Sequence, residues 1–202
     1  MTTFTKYCLP TADYATAKPW QRSDDASYFN IFDVVNDQAG NPAEMASEPP
    51  LDETLYAYGC GNDEGTYYPQ KSLWSLTPTI PVAATNLLVV LGGYFAHSPV
   101  GPTPRVCSWL LWDAVHAMVT QSFNVTTPFT TGYLKYERNL GGTNPLVNAP
   151  WTPAAVNSLL LGVEATQDVT YYTRCATAWL KITYDVATQP ANRPRRAVAL
   201  LF

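Results

Sequence analysis

Three observations in the sequence predict an all-β domain built as a sandwich or barrel. Strand-length runs of aromatic and β-branched residues follow one another, Pro- and Gly-rich turns separate them, and no strand–helix–strand alternation breaks the series. Of the 202 residues, 47% are hydrophobic and 13% aromatic, enough for one large core. Only 14% are charged and the net charge is −4, which argues against nucleic acid because no basic stripe is available to replace phosphate counterions. No apolar run approaches the ~18 residues of a membrane span, and residues 1–20 lack a signal-peptide core. The chain is therefore expected to remain where it is made, with no membrane partner.

Residues 1–27 carry Pro10 and Pro19 among small polar residues and suit an extended arm or edge segment. "SYFNIFDVV" (27–35) reads as a strand stopped by "NDQAG", and a polar loop with three prolines follows. "TLYAYGC", closed by the acidic turn "GNDEGT", and "SLWSLTPTI" are each of strand length. "TNLLVVLGGYFAH" (85–97) is continuously apolar like a fully buried strand, with Gly92 and Gly93 marking a bulge or a close backbone approach. Residues 105–125 fit either period; their Val, Trp and Phe content predicts two strands bent near Asp113. "FTTGYLKYERN" and "DVTYYTRCATAWLKITYDV" are strands. In the second, Ala176, Ala178, Leu180, Ile182 and Tyr184 alternate with Thr177, Trp179, Lys181, Thr183 and Asp185.

One helix is expected near residues 153–160. Thr152 supplies an N-cap, Pro153 fits the first helical position, "AAVNSLLL" gives two turns, and Gly162 can close them. So short a helix is marginal alone and must be held by packing through Trp151, Val156, Leu159 and Leu160, as a lid over an open sandwich end would be.

Few residues suggest chemistry. His97 and His116 lie on different predicted elements and suit a sandwich-face and a surface position better than a metal site. Asp52, Glu53, Asp63 and Glu64 flank one strand; a carboxylate pair or calcium ligands are conceivable, but turn carboxylates are ordinarily solvated. There is no GxSxG elbow, so the expectation is a non-enzyme with no cofactor and no metal. Cys8, Cys60, Cys107 and Cys175 are far apart and read as buried thiols, with one long-range disulfide as the alternative. Trp179 stands opposite the small apolar series of its strand. It suits sugar stacking, a subunit contact, or a second packed face of the same sandwich.

The segment "TNPLVNAPWTPAAVNSLLLGVEA", followed by "CATAWLKITYDV", resembles tailed-phage virion proteins with a jelly-roll, lectin-like β-sandwich. Their signature reads NP-x-TG-x-x-WT-x-x-x-(V/I)N-x-L-x-x-G-V. The match spans residues 120–187 and departs at "LVN" (146–148), where the Thr-Gly is missing. The resemblance implies an antiparallel jelly-roll over 28–187, between an N-terminal arm or edge segment (1–27) and a C-terminal arm (188–202). It also implies a capsid decoration, or cement, protein of the virion, assembled in the host cytoplasm. Its partners would be the major capsid protein and further copies of itself. A carbohydrate-binding tail or fibre module is the alternative, with a glycan as partner.

In the tail, Arg193, Arg195 and Arg196 precede the apolar residues 197–202, which need a surface to cover them. Trp179, Arg195, Arg196, Leu200, Leu201 and Phe202 are the assembly contacts this reading names.

Overall fold

The computed structural model describes residues 1–14, 21–22, 43–51, 56–59, 62–63, 66–67, 70–97, 105–113, 115, 117–165 and 173–188. The strands in chain order are β1 (Thr2–Cys8), β2 (Ala12–Tyr14), β3 (Gln21–Arg22), β4 (Glu44–Met45), β5 (Ala57–Gly59), β6 (Asn62–Asp63), β7 (Thr66–Tyr67) and β8 (Gln70–Ser75). There follow β9 (Thr85–His97), β10 (Arg105–Trp112), β11 (Ala117–Val125), β12 (Leu134–Gly141), β13 (Thr143–Asn144), β14 (Ala149–Pro150), β15 (Leu160–Ala165) and β16 (Thr173–Val186). One sheet runs β12-β9-β16-β1-β4, with β5 also on β16 and β3 on β5; the other runs β11-β10-β15-β8-β2. All these pairings are antiparallel. The architecture is the expected all-β sandwich with one short helix.

The ladder between β9 and β16 organises the first sheet, running from Thr173↔His97 to Asp185↔Thr85. Leu87, Val89, Leu91 and Phe95 of β9 and Ala178, Leu180, Ile182 and Tyr184 of β16 face the second sheet and are buried. Trp74, Cys107, Trp109, Leu111, Leu161 and Val163 meet them from that second sheet. Each such aliphatic or aromatic side chain contributes roughly 1.5–3 kcal/mol on leaving water. The alternation expected along β16 holds from Ala178 onward; at Ala176 the register slips by one residue as a bulge.

Both glycines of β9 mark close approaches, as the sequence suggested. A Cβ on Gly92 would stand 2.3 Å from Nε1 of Trp179, and one on Gly93 would stand 2.7 Å from the Thr177 carbonyl oxygen. The strand is not buried on both faces throughout, however, since Leu88 is 48% exposed. Residues 105–125 form β10 and β11 with the bend at Asp113, whose carboxylate accepts from the Val115 amide at 2.8 Å.

The helix α1 (Pro153–Asn157) starts as expected: Thr152 accepts from the Ala155 amide at 3.1 Å and Pro153 opens the first turn. It ends earlier than expected, at a Ser158 cap. Gly162 is no helix cap but a residue of β15, where a Cβ would meet the Ser72 carbonyl oxygen at 2.3 Å. Ladder pairing of residues 160–165 with β8 and β10 outcompetes a second helical turn. Of the expected packing contacts, Trp151, Val156 and Leu159 are buried in the core, while Leu160 is the half-buried first residue of β15. Asn157 clamps the Ile80 backbone, accepting from its amide at 3.0 Å and donating to its carbonyl at 3.1 Å.

The N-terminal residues are no free arm. β1 pairs along its whole length with β16 and places Cys8 in the core, while only Tyr7 and Cys8 also meet β4. Within the segment expected as an arm or edge, residues 2–8 are thus a paired strand flanked by β16 and β4. Cys8, Cys107 and Cys175 are free and buried. Burial pushes the Cys8 and Cys107 thiols up to about 12, so neither is a ready nucleophile. Cys60, the strand expected over 27–35 and the segment beyond Thr188 lie outside the described residues.

Gly92→Ala is expected to cost about 1–3 kcal/mol by overpacking. Trp179 has no room to step aside, being walled in by Tyr7, Leu9, Met45 and Tyr94. Urea unfolding of the variant measures this; an unchanged midpoint would contradict the packing described.

Candidate functional site

Among the expected contact residues, Trp179 is the one the structure describes, and it is corrected. Its side chain lies on the outer face of the first sheet, as the alternation implied, but it is 0% exposed. Tyr94 packs on it at 5.3 Å and Tyr7 meets it edge-on at 6.4 Å. It is thus the second packed face allowed for in the sequence, and it offers no side-chain surface to a partner. Arg195, Arg196, Leu200, Leu201 and Phe202 lie outside the described residues.

A strap over residues 43–50 crosses that face and is pinned by two carboxylates. Glu44 accepts from Lys6 at 2.6 Å and from the hydroxyl and amide of Thr79. Glu48 accepts from Tyr94 Oη at 2.5 Å and from Lys135 at 3.0 Å. Partial burial alone would raise both carboxyls, but these hydrogen bonds outweigh it and hold both below the ordinary 4.5. The Tyr94 phenol is pushed up to about 12 by burial and by the facing Glu48, so it remains a donor.

His97 is fully buried at the inner end of β9, with its amide donating to Thr127 O at 2.9 Å. His116, Asp52, Glu53 and Glu64 lie outside the described residues; Asp63 belongs to β6, paired with β7 across the acidic turn. Among the described residues no group of three or more His, Cys, Asp or Glu side chains could hold a metal ion.

The concavity with functional character lies where the two sheets end side by side. Among the described residues β11 is the edge of one sheet and β12 the edge of the other, and each carries a bulge, opposite Trp109 and at Leu140 respectively. Bulges twist edge strands out of flat pairing and recur beside binding sites. Between these edges opens a cleft of about 200 Å³ lined by Trp109, Ser122, Phe123, Tyr136, Glu137 and Arg138.

The floor of the cleft is an aromatic ladder. Trp109 stacks on Phe123 at 5.4 Å and 28°, and Tyr136 covers the ring from 5.2 Å at 34°. Phe95 abuts all three edge-on, at 5.3 Å from Trp109, 5.1 Å from Phe123 and 6.0 Å from Tyr136. Tyr136 is fixed at its far end, where its hydroxyl accepts from the Thr126 amide at 3.0 Å. That amide belongs to the segment linking β11 to β12, so the chain crossing between sheets sets the position of the ring. Arg138, on the same side of β12 as Tyr136, stands exposed at the mouth; the exposed Ser122 and Glu137 border the cleft from the opposite sides of their strands, where the Ser122 hydroxyl shares a hydrogen bond with that of Ser108 at 2.9 Å.

No protein-family profile matches the chain, and no curated protein does. Among solved structures, it is similar to the CBM22-1 xylan-binding domain of Paenibacillus barcinonensis Xyn10C, at 15% identity and a TM-score of 0.40, over 91% of this chain and 94% of that one. A structure titled "CBM4 structure and function" is similar at 13% identity and a TM-score of 0.32, covering 69% and 87%. The cryo-EM structure of Broad Bean Stain Virus follows at 9% identity and a TM-score of 0.25, covering 93% and 86%. At such distances none of them transfers a ligand or a role to this chain.

The strap carboxylates set an acid response. Both ionise at lower pH in the folded chain than in the unfolded one. Their stabilisation is therefore complete above about 4.5 and is lost as pH falls through the lower folded values. Melting temperature is expected to fall from pH 6 to pH 3, and the double variant Glu44→Gln/Glu48→Gln to melt lower at pH 6 with a shallower acid slope. An unaltered slope would mean that the strap is not held by these charges.

Proposed function

We propose that the chain is a non-catalytic glycan-binding module whose site is the cleft between β11 and β12. The observation that carries this reading is the combination, in one concavity, of an aromatic floor with the exposed guanidinium of Arg138 at its mouth. Sugars offer just such a mixture, C–H surface beside vicinal hydroxyls that both donate and accept. The volume, below the ~300 Å³ at which drug-sized pockets begin, suits a single sugar ring or the end of a chain. The core supplies rigidity: the floor residues are locked by ring contacts before any ligand arrives, so little side-chain entropy remains to be lost on binding.

Glu137→Ala/Arg138→Ala removes both charged side chains of this stretch of β12 while sparing the floor. Both residues are exposed, so stability is expected to stay within about 0.5 kcal/mol of the original. Retardation of the protein in gels containing soluble polysaccharides is expected for the original chain and lost for the variant. Equal retardation of both would move the site elsewhere; no retardation by any polysaccharide would remove the glycan reading.

A second reading concerns where such a module works. The resemblance of residues 120–187 to tailed-phage virion proteins and the apolar terminus support placement on a virion, docked through Arg195, Arg196, Leu200, Leu201 and Phe202 on the major capsid protein or another copy. Capsid cementing and glycan capture are compatible, since they use different parts of the chain. A chain truncated after Ala191 is expected to melt as the full chain does yet to occupy particles poorly. Full occupancy by the truncated chain would exclude the terminal residues from docking.

A further inference from the structure

We infer that the cleft selects an acidic sugar, one bearing a carboxylate, and that Arg138 is the residue that recognises it; this rests on the glycan-binding reading above. The floor gives the first reason. Trp109 and Tyr136 both pack against the Phe123 ring, at 5.4 Å and 28° and at 5.2 Å and 34°, so the ladder does not offer Phe123 as an open platform for the C–H face of a neutral sugar.

The rim gives the second. Arg138 pairs with Leu91 in the β12–β9 ladder and so shares the side of the strand that carries Tyr136, facing the opening between the sheets. Among the described residues it has no hydrogen bond and no ion-pair partner. Glu137, one position earlier, sits on the opposite side of the strand in register with Gly92. There Lys135 stands 3.8 Å from its carboxylate. The Glu137 carboxylate is thus turned toward Lys135, itself shared with Glu48, whereas among the described residues the guanidinium at the mouth has no counter-charge. A planar fork with free donors on the side of the strand that carries Tyr136 fits a carboxylate, which it takes bidentately. The chain's net charge of −4 works against long-range attraction of an anionic polymer, so discrimination arises at contact distance, inside the cleft.

The full chain is tested on an array carrying neutral glycans, glycans containing carboxylated sugars, and the methyl esters of the latter. Binding is expected on the carboxylated set, weakened about tenfold or more by esterification and by Arg138→Ala, and partly retained in Arg138→Lys, which keeps the charge but not the fork. Melting of both variants is measured alongside and is expected to be unchanged, since the residue is exposed. Equal binding of neutral and carboxylated glycans would overturn acidic selectivity and leave the glycan module standing. Carboxylate-dependent binding that survives Arg138→Ala at full strength would place the carboxylate elsewhere and overturn the assignment. Binding to no glycan of any set would overturn both.

Discussion

The pairing of β9 with β16 is the constraint on which the rest of the fold depends. Its inner face supplies one wall of the main core, and its outer face carries Trp179 lying across Gly92. Only a residue without a Cβ lets the indole lie so close to the sheet. The hydrophobic strap contact, the tyrosines beside it and the two carboxylate pins follow from that indole needing cover. The edges follow as well. β12 adds to the free side of β9, and because β11 closes the other sheet on the same side, the sandwich is left with an opening where an aromatic ladder meets solvent.

The aromatic surplus thereby acquires a structural account. Trp74, Trp109, Trp151 and Trp179 are buried and Trp112 is half-buried, so these five indoles serve the packing of the two sheets rather than an open surface. The partly exposed rings that line the cleft are Phe123 and Tyr136. The functional consequence is a site that depends on rim polarity for selectivity and on the core for shape. Substitutions in the floor would confuse folding with binding, whereas the rim residues separate the two.

Much of the fold was legible in local pattern. The period-two alternation of residues 178–185, the cap at Thr152 with Pro153, the paired glycines of β9 and the bend at Asp113 are all encoded within a few residues of where they act. Gly162 misled because a glycine after an apolar helical run has two physical uses, a left-handed cap and a close strand approach. Only the neighbouring Ser72 backbone decides between them. Trp179 was placed on the correct face, but what covers that face, Tyr7, Leu9, Met45 and Tyr94, comes from elements remote in the chain. The candidate site was not legible at all. "GYLKYERN" reads plainly as a strand, yet nothing local says that it is an edge, that β11 is the edge beside it, or that Arg138 rather than Glu137 faces the opening. Strand order is a property of the whole chain.

The central claim is that ligand recognition belongs to the open side of the sandwich and not to the strap-covered face. Backbone amide NMR of the labelled full chain, titrated with a glycan found to bind, tests it most directly. The account predicts that Ser122, Phe123, Tyr136, Glu137 and Arg138 shift together with a single affinity, while Tyr7, Met45, Tyr94 and Trp179 stay in place. Shifts centred on Trp179 and the strap, with the cleft amides unmoved, would contradict it.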